Sequence, residues 1–331
     1  MNKKALESVL EAILSQPTAP FHEYHVRSAI LAQLKGLKRV KTSSDPFGNV
    51  LARYKRGRAK ARWIVGSHMD HPGWVRTKGG GFAFLGGVPE GHRTENAERV
   101  EWFDAFGMWE LPAYERFNGS VRARACDDLV GCAILVAVLQ ELEKRDVSAD
   151  FHVLFTRAEE VGFVGMKYFL ESGLFPEGTC FISLETSAAT GGAEIGQGPV
   201  IRVGDRLSSF DPPTVATLEA VARDHNIPTQ RHLLDKGTCE ASAVLAHGIP
   251  AAGISVLLEN YHNCGPGTEI AAESVAIDDV FHAAKLVAAL AVDAPDPSDP
   301  ATKLRKRMNE LATKQAIHAR ESVKSWQDFG G

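Results

Sequence analysis

The chain has 331 residues, 44% of them hydrophobic and 24% charged, with a formal net charge of −4 and a pI near 6.3. A chain of this length and composition can bury a sizeable core, and it is typical of a soluble protein with one large domain and a smaller one. The charge excludes a global basic field that would attract nucleic acid or anionic lipid, so we predict neither as a partner, although a local basic patch is compatible with it.

The predicted elements begin with two amphipathic helices, over residues 4–15 and 22–35. The segment DPFGNVLARYKR (45–56) follows, and its turn residues before an apolar stretch predict a turn that leads into a strand. The segment ARWIVGSH (61–68) predicts the next strand, so the first quarter of the chain already combines helices with strands.

Helical and strand patterns alternate along the chain after Asp128. The predicted helices cover residues 129–145, 164–172, 213–225, 239–247 and 274–291, and the predicted strands cover residues 151–156, 180–185 and 249–256. Such alternation with short connections is typical of an α/β domain. We therefore predict a three-layer sandwich, in which a mixed, largely parallel central sheet is covered by helices.

The alternation is interrupted by a glycine-rich stretch, GGGFAFLGG (79–87), and an aromatic-rich segment, RVEWFDAFGMWEL (99–111). Neither has a clear helical period, so we predict a small β-rich insertion over residues 76–120. The catalytic domain would then consist of residues 1–75 and 121–293. Residues 294–331 are expected to form a proline-punctuated linker and a polar helical tail.

The cysteines and the apolar segments bear on the compartment. The five cysteines are odd in number and lack any C-x-x-C spacing, so neither a disulfide framework nor a structural zinc ribbon is expected, and a reducing compartment fits better. Glu7 and Glu11 in the first predicted helix argue against a signal peptide, and the longest apolar run, over residues 129–139, is too short to cross a bilayer. We predict a cytoplasmic protein.

Acidic and imidazole side chains recur where a predicted strand gives way to a loop or a helix. They are His68 and Asp70 in SHMDHPG, Asp127 and Asp128 in CDDLVG, Glu159 and Glu160 in RAEEVG, Glu185 in SLETS, and His262 in ENYHNCGPGT. In an open α/β sheet, ligands bind beyond the carboxyl ends of the strands, so these distant segments are expected to converge.

Two imidazoles and three carboxylates would supply nitrogen and oxygen ligands suited to zinc, and a bridging carboxylate would hold two ions about 3.5–4 Å apart. Three carboxylates and a bridging hydroxide would balance the charge of two divalent ions, and the hydroxide would act as the nucleophile. One further carboxylate must remain free to move the proton of the water. The adjacent Glu159 and Glu160 offer both tasks, ligand and general base.

Each segment also has a simpler interpretation when it is considered alone. Asp-Asp before a helix is more often a helix cap than a ligand, and a Glu-Glu pair usually lies on the solvated surface. Asp70 could orient His68 and so belong to the catalytic apparatus. Cys126 and Cys264 adjoin proposed ligands, but carboxylate neighbours make thiolate ligation the less favoured alternative. The metal hypothesis is favoured because the segments together supply every ligand and the general base that a dinuclear site needs.

Several longer motifs resemble those of the TET-type dinuclear zinc aminopeptidases, which include glutamyl and deblocking aminopeptidases. The similarity extends over most of the chain. It is carried by DPFGNVLARY, HMD with Gly73, DD with Gly131, EEVG at 159–162, GQGPVI at 196–201, KGTCEASA at 236–243, HGIP at 247–250 and YHN at 261–263.

The resemblance implies a role for each candidate residue. Asp127 would be the bridging ligand, Glu160 and His262 would complete one zinc site, and His68 and Glu185 would complete the other. Glu159 would be the general base, and a cis peptide bond would join Asp127 to Asp128. The expected activity is removal of N-terminal residues from small peptides by a homo-oligomer with two divalent ions, zinc being favoured over cobalt or manganese.

Three positions depart from the family pattern. The aminopeptidases usually have Asp at the position of Glu185, and Glu is more typical of related carboxypeptidases. His71 and Pro72 stand where the family tends to have an acidic and an aliphatic residue, and Cys239 and Glu240 replace a stretch that contains Asp. The insertion is also short for the domain that helps to build the large assemblies of this family.

These departures leave other functions open. A carboxypeptidase or an N-acyl amino-acid deacylase would use the same metal ligands. A metal-independent glycosidase, in which two carboxylates flank a sugar bond, and a non-catalytic binding protein are more distant alternatives.

Overall fold

The structure, a computed structural model, describes residues 1–293 and 300–326. In that part of the chain the strands are β1 (Val40–Ser44), β2 (Val50–Arg56), β3 (Trp63–His68), β4 (Gly73–Arg76), β5 (Phe82–Leu85), β6 (Val100–Phe103), β7 (Phe106–Trp109), β8 (Glu115–Phe117), β9 (Ser120–Ala123), β10 (Ala149–Thr156), β11 (Cys180–Ala188), β12 (Val200–Arg202), β13 (Gln230–His232), β14 (Ala251–Glu259) and β15 (Glu273–Ala276). The helices are α1 (Lys3–Leu14), α2 (Tyr24–Leu34), α3 (Glu90–Glu95), α4 (Leu129–Arg145), α5 (Val164–Glu171), α6 (Pro212–Asp224), α7 (Glu240–Ala246), α8 (Ile277–Asp293) and α9 (Pro300–Trp326).

Eleven of these strands form one mixed sheet in the order β1-β2-β10-β3-β11-β14-β15-β9-β8, and β12 and β13 are attached beside β14. The four central strands β10, β3, β11 and β14 run parallel to one another. The outer strands are mostly antiparallel to their neighbours. The carboxyl ends of the four central strands therefore meet at one edge of the sheet, where a ligand site is expected.

The central strands are buried because helices cover them. Every residue of β3 and β10 is buried, including the polar Asp150 and His152 of β10, and both strands contain mostly apolar side chains, as expected of strands covered on both faces. Helix α4 packs on β3 and β11 and also contacts α1, α2 and α8, while α5 and α7 contact each other and α7 packs on β11 and β14. This arrangement confirms the predicted α/β class, with helices around a mixed sheet.

Helix α4 shows how local sequence fixes the backbone next to this edge. Its residues 129–139 are apolar or glycine and all are buried, so the helix lies inside the core. The side chain of Asp128 caps its first turn by accepting a hydrogen bond from the backbone N–H of Gly131. A side chain at position 131 would put its Cβ 2.4 Å from Oδ2 of Asp128, so the cap requires glycine there.

A separate antiparallel sheet, in the order β5-β4-β7-β6, lies between residues 73 and 109. Strands β8 and β9, over residues 115–123, pair with the large sheet instead. The division into a catalytic domain, an insertion over 76–120 and a tail over 294–331 stays a prediction. The predicted linker at 294–299 lies outside the described residues, and the tail beyond it is helical over Pro300–Trp326.

Most predicted elements appear close to their expected limits, and the helix predicted over 274–291 is the main difference. Its first residues form strand β15, which pairs with β14 on one side and β9 on the other, and the helix begins at Ile277. This pairing overrides the helical pattern, because β15 connects β14 with the distant strand β9 and so completes the sheet there. None of the helices within residues 1–293 and 300–326 has the length and apolar character needed to cross a membrane.

Candidate metal centre

The structure brings the five predicted metal ligands together at the edge where the central strands end. His68 is the last residue of β3, and Glu185 lies within β11. Glu160 follows β10, His262 follows β14, and Asp127 precedes α4. We refer to these five residues as the metal centre. All of them have side chains that are nearly inaccessible to solvent.

The carboxylate of Asp127 lies between the two imidazoles. Its Oδ1 is 3.4 Å from Nε2 of His68, and its Oδ2 is 3.5 Å from Nε2 of His262. Thr186 fixes this orientation, since its hydroxyl donates a hydrogen bond of 2.9 Å to Oδ1. The two oxygens therefore face opposite sides, which is the arrangement that a bridging carboxylate needs.

Each imidazole has a second carboxylate beside it. Oε2 of Glu185 lies 3.7 Å from Nε2 of His68, and Oε1 of Glu160 lies 3.1 Å from Nε2 of His262. Ser183 donates a hydrogen bond to the other oxygen of Glu185. Nε2 of His262 and Oε1 of Glu160 are buried and have no hydrogen-bond partner. Such orphaned nitrogen and oxygen atoms fit a divalent cation, which would satisfy both.

Asp128 is also near His68 and Glu185, but other groups occupy its oxygens. It receives hydrogen bonds from the hydroxyl of Ser67 and from the backbone of Gly131. The peptide bond between Asp127 and Asp128 is cis, as the family resemblance implied. Asp128 therefore serves as the helix cap that an Asp-Asp pair commonly provides, and Asp127 is the member that faces both imidazoles. Among the described residues, the groups close enough to hold an ion contain no cysteine.

The electrostatics of the metal centre favour positive charge. Burial raises the pKa of Glu185 to about 7, and burial together with neighbouring carboxylates raises the pKa of Glu159 well above its usual value. Burial also opposes ionisation of Asp127, but the two imidazoles lower its pKa. The pKa values of His68 and His262 are raised by the surrounding carboxylates, although burial alone would lower them. Bound cations would supply the charge that these groups otherwise obtain from protons.

Asp70 connects His68 to the pair of glutamates. Its Oδ1 accepts a hydrogen bond of 2.9 Å from the backbone N–H of Glu159, and its Oδ2 accepts one of 3.1 Å from that of Glu160. Nδ1 of His68 lies 3.1 Å from the backbone oxygen of Asp70, so this contact orients the ring and leaves Nε2 for the centre. Asp70 thus acts on both sides of the site as a positioning residue.

Glu23 supports the same loop and was not among the predicted site residues. Its Oε1 accepts a hydrogen bond from the backbone N–H of Ala158, and its Oε2 accepts one from the side chain of Arg157. Ala158 has a φ of 53°, a left-handed conformation that costs energy for a residue with a Cβ. Glu23 and Asp70 together hold the turn that carries Glu159.

Glu273, which directly precedes the segment predicted as a helix, was also not among the predicted site residues. Its Oε2 accepts hydrogen bonds from the backbone N–H groups of Cys126 and Asp127, and its Oε1 accepts one from that of His262. One buried carboxylate therefore joins the backbones of two proposed ligands. His71, one of the departures from the family pattern, contacts the backbone oxygen of Asp127 through Nδ1 at 2.7 Å.

A cavity of about 200 Å³ opens beside the metal centre. Glu159, His68, Asp127 and Glu185 contribute to one part of its wall. Glu159 lies outside any strand or helix, on the turn after β10 and next to Glu160. The arrangement provides a carboxylate outside the ligand set that is close to it and reaches the cavity, as a general base requires.

We expect Asp70→Asn to lower metal affinity or turnover by about 10- to 100-fold, because the amide would direct N–H groups toward a backbone N–H. Metal titration and initial rates would measure this. Asp224→Asn, at the exposed end of α6, is the matched control and should behave like the unchanged protein. Unaltered metal affinity and turnover in Asp70→Asn would contradict the positioning role.

Comparisons with known proteins agree with this geometry. A family model described as M42 glutamyl aminopeptidase matches residues 94–286, more than half of the chain. A candidate aminopeptidase from Acetivibrio thermocellus is 26% identical, and the similarity covers 80% of this chain and 92% of that protein.

Solved structures share the fold at low sequence identity. The TET1 peptidase of Pyrococcus horikoshii is 20% identical with a TM-score of 0.72, covering 87% of this chain and 99% of that chain. An aminopeptidase from the archaeon Desulfurococcus kamchatkensis is 20% identical with a TM-score of 0.70, covering 89% and 96%.

Proposed function

The chain belongs to the M42 glutamyl aminopeptidase family, and from this premise we propose that its metal centre binds two zinc ions and removes N-terminal residues from small peptides. Membership makes the protein a metal-dependent peptide hydrolase of the aminopeptidase type. The number and identity of the ions and the role of each residue are our proposal. The observation that carries it is the carboxylate of Asp127, which presents one oxygen to each imidazole.

We assign His68 and Glu185 to one ion and Glu160 and His262 to the other, with Asp127 shared. Two bound zinc ions would lower the pKa of a water molecule and polarise the scissile carbonyl. Glu159, which the chain holds outside this ligand set, accepts the proton of the attacking water and delivers it to the leaving amine. Its raised pKa suits this task, since it makes the carboxylate a stronger acceptor for the proton of the water than an ordinary glutamate.

Chelation tests the metal requirement directly. Removal of divalent ions should abolish hydrolysis of an aminoacyl substrate, and addition of zinc, cobalt or manganese to the depleted protein should restore it to different extents. Metal analysis of the active protein should give two ions per chain. Full activity on the aminoacyl substrate after complete metal removal would overturn the proposal.

Matched free-amine and N-acetylated peptides test the direction of cleavage. An aminopeptidase must recognise the positive amine, so acetylation should remove activity. Faster cleavage of the acetylated members would instead indicate a deacylase or carboxypeptidase with the same metal ligands.

Glu185→Asp should be tolerated, because the substitution preserves the carboxylate and gives the residue that the aminopeptidases usually have. We expect both ions to remain bound, with kcat/KM changed by less than about 10-fold and the preference among side chains altered. The readouts are metal content and rates on a panel of aminoacyl substrates. Loss of an ion would show that the centre requires the longer side chain of glutamate.

Three coarser features complete the proposal. The structure of the Pyrococcus horikoshii relative is described as one that assembles into a tetrahedron or a large octahedral shell, which supports a homo-oligomer here. The scattered free cysteines support a cytoplasmic location. The domain limits of 1–75 with 121–293, 76–120 and 294–331 remain part of the proposal.

A further inference from the structure

We propose that helix α9 is a docking surface for anionic phospholipid bilayers, through which the protein binds the surface of a membrane. The family model ends at residue 286, so α9 (Pro300–Trp326) lies beyond the part of the chain that it matches. The proposed peptidase reaction does not use this helix. Docking of α9 and hydrolysis at the metal centre can therefore be tested independently.

The large apolar side chains of α9 share one face of the helix. Residues three or four positions apart lie on the same face of an α-helix, and all but Ile317 follow that spacing. We refer to this face as the apolar stripe, which consists of Leu304, Met308, Leu311, Ala312, Ala319, Val323 and Trp326. All five of its large side chains are exposed.

No other part of the described chain covers the apolar stripe. Helix α9 lies next to α6, yet every residue over 304–324 is exposed apart from Ala316, which is partly exposed. A contiguous apolar surface of this kind indicates a binding site for another partner. The helix is not apolar enough to cross a bilayer, so a membrane would receive it along its surface.

The polar side of α9 is positively charged, in contrast to the rest of the chain. Residues 304–324 contain six Lys or Arg and two Glu, which gives this segment a net charge of +4. The whole chain has 37 basic and 41 acidic residues, so 31 and 39 remain outside the segment, a net charge of −8. The net charge of −4, from which we predicted no binding to anionic lipid, averages over this contrast.

A basic polar face beside an apolar stripe matches the chemistry of a membrane interface. Lysine and arginine are attracted to anionic headgroups, while leucine, methionine and tryptophan enter the boundary of the acyl chains. Nucleic acid would account for the cations but not for the stripe. A second copy of α9 would bury the stripe, but two helices of net charge +4 repel each other, and Gln315 and Ser322 interrupt the apolar face. An anionic bilayer accounts for both features.

Sedimentation of the full chain with lipid vesicles tests this docking. We expect binding to vesicles of equal parts phosphatidylcholine and phosphatidylglycerol, and binding at least about 10-fold weaker to phosphatidylcholine alone. Each cation near an anionic surface strengthens binding by a factor of about five. Raising the salt from about 0.1 M to about 1 M shortens the Debye length from about 10 Å to about 3 Å, so it should release most of the protein.

Leu311→Glu should weaken binding to the anionic vesicles by about 100-fold, because it removes an inserted leucine and adds a negative charge. Ile317→Glu is the matched control, since Ile317 is 61% exposed on the opposite side of the same helix and Leu311 is 49% exposed. There the same substitution should weaken binding only through its charge, by about fivefold. Lys314→Gln should also weaken it by about fivefold and leave binding to the neutral vesicles unchanged. Circular dichroism establishes that each variant keeps its fold.

The possible results separate the bilayer from other partners. No binding to the anionic vesicles, equal binding to both kinds of vesicle, or equal losses in Leu311→Glu and Ile317→Glu overturns the docking. A smaller assembly in Leu311→Glu without vesicle binding would assign the stripe to a second copy. Binding of a duplex oligonucleotide without vesicle binding would assign the cations to nucleic acid. If Leu311→Glu does not fold, Lys314→Gln decides, because a loss confined to the anionic vesicles supports the docking and an unchanged affinity overturns it.

Discussion

Glu159→Gln retains both metal ions and loses turnover by about 10²- to 10⁴-fold, the contribution expected of a general base. The amide can neither accept the proton of the attacking water nor return it to the leaving amine. The backbone N–H of residue 159 still donates to Asp70, so the turn that presents the side chain is unchanged. The expected defect is therefore one of chemistry and not of structure.

Metal content measured beside the rate decides this prediction. Glu171→Gln is the matched control, because Glu171 is exposed on α5 and paired with Lys167, and it should leave the rate unchanged. A Glu159→Gln variant that loses an ion would show that Glu159 is a ligand. The tasks of Glu159 and Glu160 would then have to be exchanged.

Asp127→Ala has a larger expected effect on metal content than the loss of any other single ligand. The side chain of Asp127 faces both imidazoles, so its removal takes an oxygen from each ion and the negative charge from between them. We expect fewer than about one ion per chain and no measurable turnover.

The comparison for Asp127→Ala is a set of single-ligand variants, Glu160→Ala and Glu185→Ala, each of which should lose mainly one ion. Metal analysis after exhaustive dialysis gives the stoichiometry, and circular dichroism establishes that the fold is kept. Two tightly bound ions in Asp127→Ala would refute the bridging assignment.

The parts of the fold that the sequence predicted well have local causes. Helix α4 was predicted over 129–145 and has those limits, because an unbroken apolar run follows Asp128, a residue that caps helices. The parallel strands were recognisable because strands buried on both faces are rich in apolar residues. The convergence of His68, Glu160 and His262 followed from their position at or after strand ends, which is a rule of the architecture and needs no knowledge of distances. Glu185 was placed at a strand end by the sequence, whereas β11 continues past it to Ala188.

The parts that were missed depend on contacts between distant segments. Glu273 reaches Asp127 across 146 residues, and Glu23 reaches Ala158 across 135. A single acidic residue in a mixed sequence gives no sign of such a contact. These supporting residues determine how the site is held, and they become visible only in the folded chain.

The bonds of Glu273 have a consequence for the order in which the protein becomes active during synthesis. His68 leaves the ribosome early, but the carboxylate that ties residue 127 to residue 262 lies on β15, near the end of the sheet-forming sequence. The last ligand to emerge, His262, precedes Glu273 by only 11 residues. A nascent chain that ends before Glu273 lacks the carboxylate that joins residues 127 and 262. We therefore expect peptidase activity to begin only after most of the chain has been synthesised.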